Sequence, residues 1–170
     1  MINLKHLVTM ILLLSSLTTY CKDDFNSIYK NTLKYEGTKY VKNKIEESKY
    51  GITNYYSKDV KNLTKGKAYN IAYNKIYKTH RINEIKDKDV KMFIFDWLYH
   101  SSPTKAIKNI QMVLGIETDG VIGTETIKAI NSYKGDLVKE LKQTRLQYVR
   151  SLKHYKKYKT NWEDRMNNIV

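Results

Sequence analysis

Tyr35-Glu36-Gly37-Thr38-Lys39-Tyr40, followed closely by Ser48-Lys49-Tyr50-Gly51-Ile52-Thr53, is the most telling part of this chain. The preceding segment, Asp23 to Tyr35, reads as a helix: Asp23 or Asp24 suits its start, and Phe25, Ile28 and Thr32 share one face. Gly37 suits the left-handed position just past its end. A glutamate in the last turn would face the negative end of the helix macrodipole, and Tyr35 and Tyr40 would desolvate it. Both effects favour the protonated form, the form a general acid needs near neutral pH. The plainer reading of Glu36 is a solvated surface residue before a turn.

Beyond this stretch the pattern is almost entirely helical. Thr64 caps a helix with Ala68, Ile71, Ala72, Lys75 and Ile76 at three-to-four spacing, where Lys75 interrupts the apolar face. Asp87 or Asp89 starts another, with Val90, Phe93, Ile94, Trp97 and Leu98 as a buried stripe. Asp96 lies off that stripe and is read as a structural hydrogen bond to a neighbouring helix or to the Tyr50 loop. Ser102-Pro103 opens a helix that Gly115 ends, Thr124 caps a short one, and Asp136 begins a long one. On this last helix Leu137, Leu141, Thr144, Tyr148, Leu152 and Tyr155 share a face.

The order of these elements resembles the family 108 glycoside hydrolases, lysozyme-like muramidases. Glu36-Gly37 and Tyr50-Gly51-Ile52-Thr53 are similar to that family's E-G-G-Y and G-G-x-T-x-Y-G-I-T signatures, and Phe95-Asp96 to its F-D motif. Gln111-Met112-Val113-Leu114-Gly115 and Asp119-Gly120-Val121-Ile122-Gly123-Thr124-Glu125-Thr126 resemble the helical peptidoglycan-binding domain that accompanies those enzymes. Asn161-Trp162-Glu163-Asp164-Arg165 is similar to the G-W-x-x-R tail, where Trp162 is read as a core anchor. The resemblance covers roughly Ile28 to Arg165. It implies a mainly α fold, a lysozyme-like catalytic domain with a short irregular active-site loop (22–101) and a small helical peptidoglycan-binding module (102–170), following a signal peptide (1–21, of lipoprotein type with Cys21 retained) that is read from the N-terminal residues themselves. It also implies a peptidoglycan glycan-strand hydrolase of bacterial or phage origin, with Glu36 as general acid and Ser48 and Tyr50 in the substrate site.

This chain departs from the family at several positions. Thr38 and Lys39 separate Gly37 from Tyr40, and Val41 to Ser48 lacks the family's aspartates. Ser48 stands for a threonine, and His100 and Ser102 stand where an asparagine and a glycine are usual. No second carboxylate carries over. The nucleophile is then a water held by Ser48 and loop backbone, with Glu46 or Glu47 as candidate base in an inverting arrangement. The eroded loop also admits the alternative of a non-catalytic peptidoglycan-binding lipoprotein that keeps the fold.

Lys and Arg number 31 against 17 Asp and Glu, a net charge of +14. That balance favours a polyanionic partner such as a bacterial wall or an anionic lipid. The lysines are spread along the chain, and no nucleic-acid motif occurs, so nucleic acid is not expected as a partner. His80, His100 and His154 lie in unrelated contexts without cysteine partners, so neither a metal nor another cofactor is expected. A monomer is expected. Lys5 and the apolar run Leu7 to Leu17 read as an export signal, too short to span a bilayer. Cys21, the sole cysteine, follows it as in a lipobox, although Tyr20 is bulky for the processing enzyme. Ordinary secretion and an uncleaved anchor are the other readings. A lipidated Cys21 would place the protein in the cell envelope, anchored in the membrane and beside the wall.

The Cys21 reading is checked by fractionation. Wild-type protein should incorporate labelled palmitate and require detergent for extraction, because several acyl chains anchor firmly where one is marginal. Cys21→Ala should move it to the soluble fraction. Absence of label from the wild type would leave ordinary secretion.

Overall fold

The computed structural model describes residues 24–42 and 46–170; Cys21, the export signal and Asn43 lie outside them. Helices dominate, as the periodicity predicts. The first, α1, covers residues 24–32 and buries Phe25, Ile28 and Thr32 as expected. It then unwinds through a turn in which the Tyr35 N–H donates to Thr32 O and the Glu36 N–H to Leu33 O. Gly37 is not left-handed, since that conformation falls on Gly51, Gly115 and Gly120 among the glycines. Glu36 therefore stands beyond the helix, not in its last turn. Gly37 instead offers its carbonyl to the Tyr50 N–H at 3.1 Å.

The expected irregular loop is a small antiparallel sheet of β1 (Val41–Lys42), β2 (Glu47–Lys49) and β3 (Ile52–Thr53), in that spatial order. Ser48 pairs with both Val41 and Thr53. Tyr50 and Gly51 form the two-residue turn, with φ of 55° and 75°, the positive values that a type I′ hairpin requires.

Helix α2 (Lys65–Ile71) begins with the Thr64 hydroxyl accepting from the Lys67 N–H, the cap that the sequence predicts. It continues as a π-helical segment, Ala72–Lys78. The wider turn shifts the buried register: Ala68, Ala72, Ile76 and Tyr77 are inside, while Lys75 turns outward. After a 3₁₀ turn (Ile82–Glu84) comes α3 (Lys88–His100), capped by the Asp87 carboxylate. Its expected stripe is buried, and so are Phe95, Asp96 and Tyr99. Packing against the α2 continuation, α4 and α6 makes it the central helix, covered on nearly every side.

Helix α4 (Pro103–Leu114) ends at left-handed Gly115, and α5 (Thr124–Ser132) follows. The N-cap of α5 is Gly123 rather than Thr124, whose hydroxyl accepts from Arg81. Asp136 caps α6 (Leu137–Arg150), which stops earlier than expected. The Ser151 hydroxyl takes the Tyr148 carbonyl at 2.7 Å, a local bond that competes with helix continuation. A separate helix, α7 (Tyr155–Asn168), completes the chain. The buried face of α6 is Leu137, Leu141, Arg145 and Val149, one position beyond the expected Thr144 and Tyr148. Trp162 is half-buried against Tyr155 and Tyr158 and does not join the core.

A single apolar cluster runs from Phe25 to Ile169 and draws on both sides of residue 101, where a tight turn joins α3 to α4. Gln111 ties the turn after α4. Its amide nitrogen donates to Asp119 Oδ1 (2.7 Å), Val121 O (3.0 Å) and Thr126 Oγ1 (3.2 Å), and its oxygen accepts from the Gly120 N–H (2.8 Å). A Cβ on Gly120, at φ +83°, would lie 2.8 Å from the Thr104 methyl. These motif residues are thus occupied with each other. Gln111→Ala should strand the buried Gly120 N–H and open a cavity in the turn, at a cost of about 2 kcal/mol, lowering Tm in a thermal melt by roughly 4–8 °C.

Candidate functional site

Three elements far apart in sequence converge on Glu36. Helix α3 supplies Asp96, Tyr99 and His100, the hairpin supplies Gly51, and α7 supplies Arg165. Asp96 is fully buried, and its carboxylate receives two guanidinium groups. Arg165 donates to Oδ1 through Nη2 at 2.7 Å, and Arg145 donates to Oδ2 through Nη1 at 2.8 Å. Arg145 also lies 5.5 Å from the Phe93 ring centre and 5.8 Å from that of Trp97. Burial alone would raise the Asp96 carboxyl, but the two arginines overcome it and hold the group at about 2. The expected structural role of Asp96, a bond to neighbouring helices, is what the geometry shows.

Arg165 passes this order outward. With Nε and Nη2 fixed on Asp96, its Nη1 donates to Glu36 Oε1 at 2.7 Å and to His100 Nδ1 at 3.0 Å. The Tyr35 ring lies beneath the guanidinium, 5.6 Å away. A guanidinium can only donate, so Nδ1 of His100 is the acceptor nitrogen in this arrangement. Its 3.4 Å approach to Glu36 Oε1 becomes an ionic contact only if the ring is protonated.

Glu36 itself is 14% exposed. Burial pushes its carboxyl up, but His100 and Arg165 together outweigh burial and leave it below the ordinary glutamate value. Of the two, Arg165 is the firmer partner, because it is charged at every relevant pH and lies closer. The expectation of a carboxyl held protonated is therefore reversed in the free protein. The pairing of Glu36 with an arginine 129 residues downstream was not legible from the local sequence. Tyr40, expected to cover Glu36, instead interacts with Glu47.

Gly51 explains why the hairpin and the acid fit so closely. A Cβ there would lie 2.5 Å from a Tyr99 ring carbon and 2.9 Å from the Glu36 side chain. Tyr99 donates its hydroxyl to the Tyr50 carbonyl at 2.6 Å, locking the turn over the carboxylate.

The exposed side of Glu36 opens into a cleft of about 980 Å³. Its lining includes Glu46, Ser48, Thr53 and Tyr55 from the sheet region, Lys75, Thr79 and His80 from the segment after α2, and the α3–α4 turn. Ser48 is thus brought together with Glu36. Tyr50 is not among the lining residues, and its ring packs against the core. Glu47 is ion-paired with Lys42 at 2.8 Å, so of the two candidate bases Glu46 is the one on the cleft. His100 lines the cleft as well, although the sequence marked it only as a departure from the family pattern.

The Asp96 cluster has a measurable pH signature. Its folded-state value lies below the unfolded one, so its stabilisation is complete above about pH 5 and is lost as pH falls towards 2. The shift corresponds to a loss on the order of 2 kcal/mol. Tm should fall between pH 5 and 2.5, and Asp96→Asn should flatten that limb while lowering Tm throughout, since it leaves two buried arginines underpaired.

No protein-family model matches this chain, and no curated protein matches it. Among solved structures the chain is similar to SagA of Brucella abortus, with a TM-score of 0.77 and 26% sequence identity over 87% of this chain and 92% of that one.

Proposed function

We propose that this protein is a muramidase, of the kind its sequence resembles in the family 108 glycoside hydrolases, cleaving peptidoglycan glycan strands between N-acetylmuramic acid and N-acetylglucosamine. The observation that carries the reading is Glu36, a partly desolvated carboxyl at the wall of a long cleft, fixed by Arg165 and closed over by a hairpin. In the reaction Glu36 gives its proton to the glycosidic oxygen as the bond from that oxygen to the anomeric carbon breaks. Water adds to the anomeric carbon and surrenders a proton to Glu46, so both new ends are neutral hydroxyls. Ser48, which lines the same cleft as Glu46, orients that water.

The pH dependence follows from the electrostatics. With Glu36 held below the usual glutamate range, its protonated fraction is small at pH 7 and grows as pH falls. The second reading, a wall-binding protein that keeps the fold without catalysis, draws its support from the same Arg165 contact, which favours the ionised carboxylate.

One assay separates them. The protein should release new reducing ends from purified peptidoglycan, with activity rising as pH is lowered from 7 towards 5. Glu36→Gln keeps the shape, removes the proton, and should cut the rate by about 10² or more. Full activity in Glu36→Gln would overturn the assignment of Glu36. An inert wild type that still sediments with the wall would favour the binding reading.

A further inference from the structure

Among the described residues Tyr55 is the most solvent-exposed large side chain of the apolar and aromatic set, at 84%, yet it belongs to the lining of the Glu36 cleft. Its position is built rather than incidental. Thr53, the last residue of β3, holds the following turn from two sides: its hydroxyl accepts from the Tyr55 N–H at 3.3 Å, and its carbonyl accepts from the N–H groups of Tyr56 (3.0 Å) and Ser57 (3.2 Å). The Asn54 N–H closes on Glu47 O at 3.0 Å, so the turn is bonded back to the sheet.

The neighbouring ring completes the mount. Tyr56 packs against the core, and Tyr55 stands edge-to-face on it, with ring centres 4.9 Å apart and an 87° angle between planes. One tyrosine is therefore the anchor and the other the presented surface. Burial raises the Tyr56 hydroxyl, consistent with a ring turned inward. An aromatic ring held in water by an ordered turn, at the edge of a polar cleft, is an uncommon use of apolar area.

On the muramidase reading of this cleft, we infer that Tyr55 is a carbohydrate-stacking platform that fixes one sugar ring of an extended N-acetylated glycan. The axial C–H groups of a pyranose face carry partial positive charge and complement the negative face of the ring. The flat contact costs little entropy because a tyrosine has few rotatable bonds. Glu36 lies on the same cleft, so a sugar seated on Tyr55 belongs to the strand whose linkage reaches the acid. The platform is sequence-tolerant: it reads a pyranose face, not the stem peptide.

The test measures binding separately from turnover. In the Glu36→Gln background, calorimetric titration with chitohexaose and with solubilised muramyl glycan strands should give saturable binding. Tyr55→Ala should weaken it about tenfold, while Tyr55→Trp stays within about threefold. Melting temperatures of both variants should match the parent, because the ring is almost wholly outside the core. With Glu36 restored, Tyr55→Ala should raise KM and leave kcat nearly unchanged. Unaltered affinity in Tyr55→Ala, or no glycan binding by the parent, overturns the platform. If Glu36→Gln remains fully active on peptidoglycan, the catalytic assignment falls while a tenfold loss in Tyr55→Ala would still stand.

Discussion

The carboxylate of Asp96 is the point on which the site rests. It is an anion with no access to water, and its survival as an anion depends on Arg145 and Arg165 approaching it from two further helices. Desolvating three charges is costly, and such clusters do not by themselves make a fold more stable than apolar packing would. They are, however, intolerant of misplacement. A shift of α6 or α7 against α3 would leave a buried charge unmatched, so the cluster fixes one docking of the last two helices. The third guanidinium nitrogen of Arg165 then arrives at Glu36 with little freedom.

The hairpin meets that fixed carboxylate by shape. Because Gly51 lacks a Cβ, its backbone lies against both Glu36 and Tyr99, and the Tyr50 N–H and carbonyl are bound to Gly37 and Tyr99 respectively. Glu36 is thus held electrostatically from the helical side and sterically from the sheet side. One edge remains open to the cleft, a geometry suited to a group that must exchange a proton with something outside.

Much of the helical frame was legible in the sequence. The Thr64, Asp87 and Asp136 caps, the Gly115 terminus and the α3 stripe depend on neighbours within a turn or two, and local pattern reports such neighbours. The failures share a different cause. The burial of Arg145 and Arg165 was not read from the sequence, because nothing nearby in it shows the buried aspartate that neutralises them. A signal did exist for Arg145, which continues the Leu137, Leu141, Val149 spacing of four. The lowered pKa of Glu36 is likewise a long-range property, and the macrodipole reading failed because α1 ends four residues before the glutamate. The hairpin was missed because Tyr-Gly is an unusual type I′ turn, while the π-helical register of Lys75 and Tyr77 is invisible to a period of 3.6.

The pairing of Glu36 with Arg165 spans 129 positions, and this has a temporal meaning. During synthesis the acid leaves the ribosome well before the arginine that sets its charge state. The elements from α1 to α3 can collapse while Asp96 still lacks both guanidinium partners, so an immature chain carries an unneutralised carboxylate at its centre and an unrestrained one at its cleft. The charge state of the cleft is therefore set only once α7 docks against α3.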